Sequence, residues 1–154
     1  MFFIIGRPRS GTTMLRMLFE AHPNVVIPPE SPFIISLYKK YGKITRWDEP
    51  VIRRFAADLL KQRYFDKWLV TEQKLMALLQ NAGGETTFQA MVKQVCLTYE
   101  SVYEKSGIKL IGDKNPYYSL YINRIHKLFP AAKIIHLTRD YRDSTLSFYR
   151  VKGM

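Results

Sequence analysis

The sequence has little cysteine, few acidic residues and no long hydrophobic run. Cys96 is the only cysteine among the 154 residues, which excludes an internal disulfide and a metal site made of several thiolates. No apolar segment approaches the roughly 20 residues that a membrane-spanning helix needs. The first apolar segment follows Met1 so closely that no signal peptide is expected before it. These features predict a cytoplasmic protein without a membrane span.

Acidic residues are outnumbered by basic ones, 13 against 24, and the excess is unevenly distributed. Residues 1–46 carry 7 basic and 2 acidic residues, and residues 124–154 also carry 7 and 2, whereas residues 47–123 carry 10 and 9. A concentrated positive field attracts polyanionic ligands. General nucleic-acid binding is the alternative, but the arginines follow predicted strands instead of lining one helix or arm. We therefore expect no specific nucleic-acid partner.

Strand-like and helix-like segments alternate along the chain. Strands are predicted over residues 2–5, 25–27, 110–112 and 133–137. Helices are predicted over residues 12–21, 32–41, 50–62, 72–80, 86–105, 117–128 and 142–152. The first and last strands are continuous apolar runs, which is typical of buried strands in a parallel sheet. We predict a single α/β domain over residues 1–154, with a P-loop-like parallel sheet flanked by helices and a helical insertion in the middle of the chain.

The first strand leads into a loop that contains glycine and arginine. Gly6 and Gly11 have the spacing of a nucleotide-binding P-loop, in which lysine follows the second glycine. Here Thr12 and Thr13 follow it, and a cation lies inside the loop at Arg9. The backbone N–H groups and the positive end of the following helix favour a bound anion. The loop therefore predicts a phosphate-like ligand but lacks the lysine that binds the β- and γ-phosphates of ATP.

This departure is shared with a known family. The string RPRSGTTML resembles the 5′-phosphosulfate loop of sulfotransferases that use 3′-phosphoadenosine 5′-phosphosulfate (PAPS), and IIHLTRDYRDSTLS resembles their 3′-phosphate motif. Between them, AHPNVVIPPES and GDKNPYYSLYINRIHKLFPAAK are most similar to the branch that includes tyrosylprotein sulfotransferases and bacterial relatives. The resemblance extends from Phe2 to about Arg150, with little signal over residues 37–109.

The resemblance implies which residues bind the donor. The 5′-phosphate is expected at Arg9, Ser10, Gly11, Thr12 and Thr13, and the 3′-phosphate at Arg139 and Ser147. Arginine suits a phosphate because its planar fork binds two oxygens at once. The alternative for the loop is an ordinary turn capped by threonine. The alternative for Arg139 is a surface ion pair.

The resemblance also implies three catalytic residues. Glu30 is expected to be the general base that takes a proton from the acceptor. Lys114 is expected to stabilise the leaving phosphate near the bridging oxygen, and Arg9 to face the sulfonate. The alternative for Glu30 is a structural role beside Ser31 at a helix N-terminus. Asp113 is expected either to orient Lys114 or to pair with it on the surface.

The histidines and tyrosines are weaker candidates. His22 is predicted to contact the C-terminal carbonyls of the first helix, His126 to lie on a helix surface and His136 to be buried within the last strand. A histidine base, as in cytosolic sulfotransferases, is an alternative to Glu30. Three tyrosines are expected either to line an acceptor pocket or to belong to the core: Tyr117, Tyr118 and Tyr121.

The expected activity is the transfer of a sulfonate group from PAPS to a hydroxyl or amine acceptor, with PAP as the product. No metal is expected, because Arg9 and Lys114 can supply the positive charge. The acceptor is a small molecule, a glycan or a peptide, and a homodimer is compatible with the sequence. One alternative is an inactive or incomplete PAP/PAPS-binding fragment, because enzymes of this type are longer. A second is a P-loop kinase, with Asp113 as its only candidate magnesium ligand.

Overall fold

A computed structural model describes the backbone of residues 1–152 and the side chains of residues 1–150. The strands are β1 (Phe2–Gly6), β2 (Val25–Val26), β3 (Arg46–Trp47), β4 (Gly84–Glu85), β5 (Leu110–Lys114) and β6 (Lys133–Leu137). The helices are α1 (Thr12–Glu20), α2 (Phe33–Tyr41), α3 (Glu49–Leu60), α4 (Glu72–Asn81), α5 (Phe88–Leu97), α6 (Ile122–Leu128) and α7 (Tyr141–Lys152). Two 3₁₀ helices span Phe65–Trp68 and Pro116–Tyr121.

Four parallel strands form the central sheet in the order β2-β5-β1-β6. All four were predicted, and β1 lies in the interior, where Phe3 and Ile4 are completely buried. Because the strands are parallel, their carboxyl ends meet at one edge, and the loops that follow β1, β2, β5 and β6 all begin there. The predicted α/β class with a parallel sheet is confirmed.

The predicted helical insertion lies between β2 and β5 and contains α2 to α5. Its aromatic side chains pack tightly, with the ring centroids of Trp47 and Phe55 5.0 Å apart and those of Tyr41 and Phe55 4.9 Å apart. The sequence patterns missed the small antiparallel pairing of β3 with β4. Each of these strands has two residues, which is too short for a recognisable alternation. No helix within residues 1–152 is long and apolar enough to cross a membrane.

Two predicted helices need correction. The helix predicted over residues 86–105 ends at Leu97, where the Thr98 hydroxyl donates to the carbonyl of Val95 at 2.6 Å. The chain beyond it instead runs beside the end of α1, where Lys105 Nζ donates to the carbonyls of Glu20 and His22. The helix predicted over residues 117–128 begins as the 3₁₀ helix Pro116–Tyr121 and becomes α-helical only at Ile122.

Candidate functional site

The loop between β1 and α1 leaves the first N–H groups of the helix without a side-chain cap. Gly11 occupies the N-cap position with a left-handed φ of 96°, and no side chain accepts a hydrogen bond there. Arg9 also has a positive φ, 72°. The threonine-capped turn considered as an alternative is therefore not the observed arrangement. Uncapped N–H groups at a helix N-terminus are donors that an anion can use.

Ser10 adds a second donor that has no partner. Its side chain is buried, and within the described part of the chain its hydroxyl makes no hydrogen bond. A buried hydroxyl without a partner loses free energy relative to one in water. A ligand oxygen at the loop would supply the missing acceptor. The loop residues therefore fit a phosphate group.

Gly6 allows the loop to pass close to the neighbouring strand. A Cβ atom at this position would lie 2.5 Å from the Leu137 carbonyl oxygen and 3.0 Å from Ser10 Oγ. Leu137 is the residue that pairs with Gly6 in the sheet. The sequence therefore needs glycine here because any side chain would collide with the backbone of β6.

Glu30 and Lys114 form an ion pair at the same edge of the sheet. Lys114 Nζ donates to Glu30 Oε2 at 2.7 Å, and the side chain of Lys114 is only 6% exposed whereas that of Glu30 is 33% exposed. Lys114 is the last residue of β5, and Glu30 follows β2, the strand beside it. Glu30 lies two residues before Pro32, the N-cap of α2, and its carboxylate bonds to Lys114 and does not cap the helix.

One cavity of about 660 Å³ joins the loop to this ion pair. Its walls include loop and strand-end residues that the sequence singled out: Gly6, Arg7, Arg9, Thr12, Thr13, Glu30 and Lys114. The 3₁₀ helix Pro116–Tyr121 also lines the cavity, through side chains that include Tyr117 and Leu120. The structure thus brings all three predicted catalytic side chains to a single cavity. The walls combine cationic groups, one carboxylate and apolar surface.

Arg139 and Ser147 lie beside the loop, next to the cavity. Arg9 Nε donates to Ser147 Oγ at 3.1 Å, and Arg139 Nη1 donates to the Arg9 carbonyl at 3.5 Å. Arg139 also faces Asp143 Oδ2 at 3.9 Å, which is the surface ion pair considered as its alternative. Arg139 therefore makes both the ion pair with Asp143 and the hydrogen bond to Arg9. The bond to Arg9 brings the predicted 3′-phosphate motif next to the predicted 5′-phosphate loop.

Asp113 does not lie on the surface, contrary to one of the two expectations for it. It is buried next to Lys114 in β5, opposite Phe3 in β1. Burial raises the pKa of its carboxyl from 3.8 to about 7, with Lys114 acting to lower the pKa and Glu30 acting to raise it. The carboxyl therefore changes charge near neutral pH just behind the ion pair.

The prediction that His136 belongs to the core is wrong. Its side chain is exposed and lines the cavity. The cause is that β6 is an edge strand of the sheet, paired only with β1 among the described residues, so its apolar sequence does not imply burial on both faces. The sequence did contain a signal for this exposure: His136 is a polar residue within an apolar strand that leads to Arg139.

The remaining histidines and tyrosines differ in outcome. The backbone N–H of His22 donates to the Phe19 carbonyl in the last turn of α1 at 3.1 Å, as predicted, and its Nδ1 accepts the Asn24 N–H at 3.1 Å. His126 is exposed on a helix, as predicted. Tyr118 is completely buried, whereas Tyr117 lines the cavity and its hydroxyl lies 2.9 Å from that of Tyr121. Tyr118 thus belongs to the core, Tyr117 to the cavity wall, and Tyr121 is half-buried and packs against the core.

Comparisons with known proteins identify the family of this chain. A model of the sulfotransferase family matches residues 2–151. The nodulation protein NoeE of Sinorhizobium fredii is 26% identical over 138 residues, covering 90% of this chain and 28% of that protein. A protein-tyrosine sulfotransferase of Drosophila melanogaster is 28% identical over 142 residues, 92% of this chain and 23% of the relative. Protein-tyrosine sulfotransferase 1 of Danio rerio is 30% identical over 147 residues, with shares of 96% and 34%. The chain thus spans about a quarter to a third of the length of these relatives.

Proposed function

Because this chain belongs to the sulfotransferase family, we propose that it binds PAPS and transfers the sulfonate group to a hydroxyl or amine acceptor. The observation that carries the proposal is the shared cavity. An anion-binding loop and a carboxylate–lysine pair open into the same space of about 660 Å³. Anion binding alone would explain the loop but not the paired carboxylate and lysine beside it. Sulfonate transfer uses all of these groups.

Donor binding is assigned to the two phosphate motifs. The uncapped N–H groups at the start of α1, the buried hydroxyl of Ser10 and the threonine side chains surround the 5′-phosphate. Arg139 and Ser147 hold the 3′-phosphate. Arg9 contacts both of these residues, so it links the two phosphate sites. A guanidinium at this junction balances negative charge from either side.

The chemistry is assigned to the ion pair and to Arg9. PAPS, when bound, supplies an activated sulfonate whose leaving group is a phosphate. Glu30 Oε2 is occupied by Lys114, whereas Oε1 has no bonding partner among the described residues and takes the acceptor proton. Lys114 Nζ donates to the oxygen that becomes negatively charged as the old bond breaks, and Arg9 stabilises the sulfonate oxygens. The acceptor oxygen or nitrogen thereby gains the sulfonate while its proton passes to Glu30.

The acceptor approaches past the 3₁₀ helix, where Tyr117 and Leu120 form the apolar wall. We propose a hydroxyl or amine carried by a small molecule, a glycan or a peptide. The names of two relatives given above specify protein tyrosine as the acceptor of those proteins. A peptide hydroxyl is accordingly the first acceptor to screen with this chain.

Titration calorimetry with PAP, and with ATP for comparison, tests the donor site directly. We expect PAP to bind and ATP not to bind. Arg9→Ala and Arg139→Ala should each weaken PAP binding at least tenfold, because each removes a charged hydrogen bond to phosphate. Arg53→Ala is the matched control, because Arg53 is exposed and paired with Glu49 in α3. A folded chain that does not bind PAP, or that prefers ATP, would contradict the proposal.

A further inference from the structure

Helix α1 buries a polar stripe and exposes an apolar one. Thr12, Arg16 and Glu20 are 4%, 8% and 1% exposed, while Leu18 is 65% exposed. The buried residues recur every four positions and therefore lie along one side of the helix. Burying a guanidinium and a carboxylate is costly unless both are well bonded. The hydrogen-bond partners of Arg16 and Glu20 therefore indicate the role of this buried polar stripe.

Arg16 bonds to the segment that leads from β2 to Glu30. Its Nε proton is shared between two consecutive carbonyls, Ile27 at 2.9 Å and Pro28 at 3.2 Å. Its Nη2 donates to the Tyr99 hydroxyl at 3.2 Å, and its guanidinium lies 5.8 Å from the centre of that ring. No carboxylate pairs with Arg16 within the described residues. The guanidinium of Arg16 is therefore stabilised mainly by backbone carbonyl oxygens.

The segment needs such support because its own backbone cannot supply it. Strand β2 pairs with β5 only through Val25 and Val26. Pro28 and Pro29 follow and have no N–H to donate, so the sheet ladder cannot continue towards Glu30. Glu20, on the same stripe as Arg16, accepts the N–H of Ile27. Both the backbone N–H and the carbonyl of Ile27 are thus bonded to side chains of α1.

The same helix begins in the phosphate loop. Thr12 is its first residue and lines the cavity, and Arg16 lies about one turn further along, roughly 6 Å away. A helix is a stiff connection over this distance. The position of Glu30 is consequently tied to the position of the loop through a single rigid element and three hydrogen bonds.

We propose that Arg16 is a positioning residue that fixes Glu30 relative to the donor-binding loop. This inference rests on the proposed sulfotransfer, because it assigns Glu30 the role of base. Arg16 does not contact the cavity; it acts on the reaction through the carbonyls of Ile27 and Pro28. Proton transfer depends on a distance near that of a hydrogen bond, so a displacement of Glu30 by about 1 Å is enough to slow the reaction about a hundredfold.

The test compares Arg16→Met with Arg16→Lys in steady-state kinetics and PAP titration. We expect Arg16→Met to lower kcat about ten- to a hundredfold while the Kd for PAP changes less than threefold. Arg16→Lys should recover part of kcat, because its ammonium can donate to the same carbonyls. Tyr99→Phe removes only the hydroxyl contact and should stay near the wild type. Arg63→Met is a second control, because Arg63 stacks on Tyr64 within the helical insertion.

A folded Arg16→Met variant with normal kcat would overturn the inference, and so would equal losses of kcat and PAP affinity, which would assign Arg16 to the loop. Amide exchange of Ile27 provides a readout without turnover: Arg16→Met should accelerate it at least tenfold, and Tyr99→Phe should not. A wild-type chain that neither binds PAP nor turns over would contradict the proposed function. Unchanged Ile27 exchange in Arg16→Met would contradict only the positioning role.

Discussion

Lys114 Nζ lies 2.7 Å from Glu30 Oε2, although 84 residues separate the two in sequence. The contact follows from the topology, because β2 and β5 are parallel neighbours and both residues come from the carboxyl ends of these strands. The helical insertion occupies the sequence between them. Folding of the insertion therefore has to be compatible with the strand pairing for the ion pair to form. In the free protein, the pair keeps a nearly buried ammonium neutralised.

Glu30→Gln should separate binding from chemistry. The side-chain amide oxygen can still accept a hydrogen bond from Lys114, but it is too weak a base to take the acceptor proton. We expect kcat to fall about 10²- to 10⁴-fold and the Kd for PAP to stay within about threefold of the wild type. Kinetics with saturating PAPS and calorimetry with PAP measure the two effects.

Glu104→Gln is the control for this experiment, because Glu104 is exposed in the loop after α5. Normal turnover by Glu30→Gln would exclude Glu30 as the base. His136, which lines the same cavity, would then be the next residue to substitute. That outcome would restore the histidine base considered as the alternative from the sequence.

Apolar patterns, glycine spacing and family resemblance each predicted a different part of the fold and of the site. The first and last strands were predicted because continuous apolar runs are typical of strands in a parallel sheet, and the loop was predicted from glycine spacing and one missing lysine. The positions of Glu30 and Lys114 came from the family resemblance, whereas their contact required the strand order. An apolar run does not distinguish an edge strand from a central one, which is why the exposure of His136 was missed.

Helical periodicity was also incomplete as a guide. In α1, the spacing of Leu15, Leu18 and Phe19 indicates an apolar face, and Leu15 and Phe19 do pack against the core, yet Leu18 is exposed and the fully buried residues are polar. The reason is tertiary: the carbonyls of the segment before Glu30 need donors, and only a polar helix face supplies them. The early end of α5 has a similar origin, because Lys105 bonds to backbone carbonyls near the end of α1.

Gly6→Ala should destabilise the protein through one steric contact. The added Cβ would lie 2.5 Å from the Leu137 carbonyl oxygen, so β1 and β6 would have to separate. We expect a loss of about 1–3 kcal/mol in the free energy of unfolding, together with weaker PAP binding, because β6 leads directly to Arg139. Urea denaturation and calorimetry measure the two losses.

Gly107→Ala is the matched control for Gly6→Ala. Gly107 has a φ of +63°, but a Cβ there would meet no atom within 4 Å. We therefore expect Gly107→Ala to lower the free energy of unfolding by only about 1 kcal/mol, because alanine disfavours a left-handed φ. PAP binding should be unchanged. Equal stability losses in the two variants, with PAP binding retained in both, would show that the close approach at Gly6 is not needed.

Asp113 should make the folded state less stable as the pH rises towards neutrality. Burial raises its pKa from 3.8 to about 7, so between these values the folded protein holds a proton that the unfolded chain has released. Stability therefore falls with increasing pH across this range and levels off above about pH 7. The difference between the two pKa values corresponds to roughly 4 kcal/mol.

Asp113→Asn removes this titration while keeping the size of the side chain. We expect the free energy of unfolding of the wild type, measured by urea denaturation, to fall by about 2–3 kcal/mol between about pH 5 and pH 8 relative to that of the variant. Asp140→Asn is the control: Asp140 is exposed, and its hydrogen bond with the Arg142 side chain lowers its pKa, so it does not titrate in this range. Parallel pH profiles for the wild type and Asp113→Asn would mean that the carboxylate stays ionised in the fold, stabilised by Lys114. In that case, Asp113 would compete with Glu30 for the ammonium, and Asp113→Asn would strengthen the Glu30 ion pair.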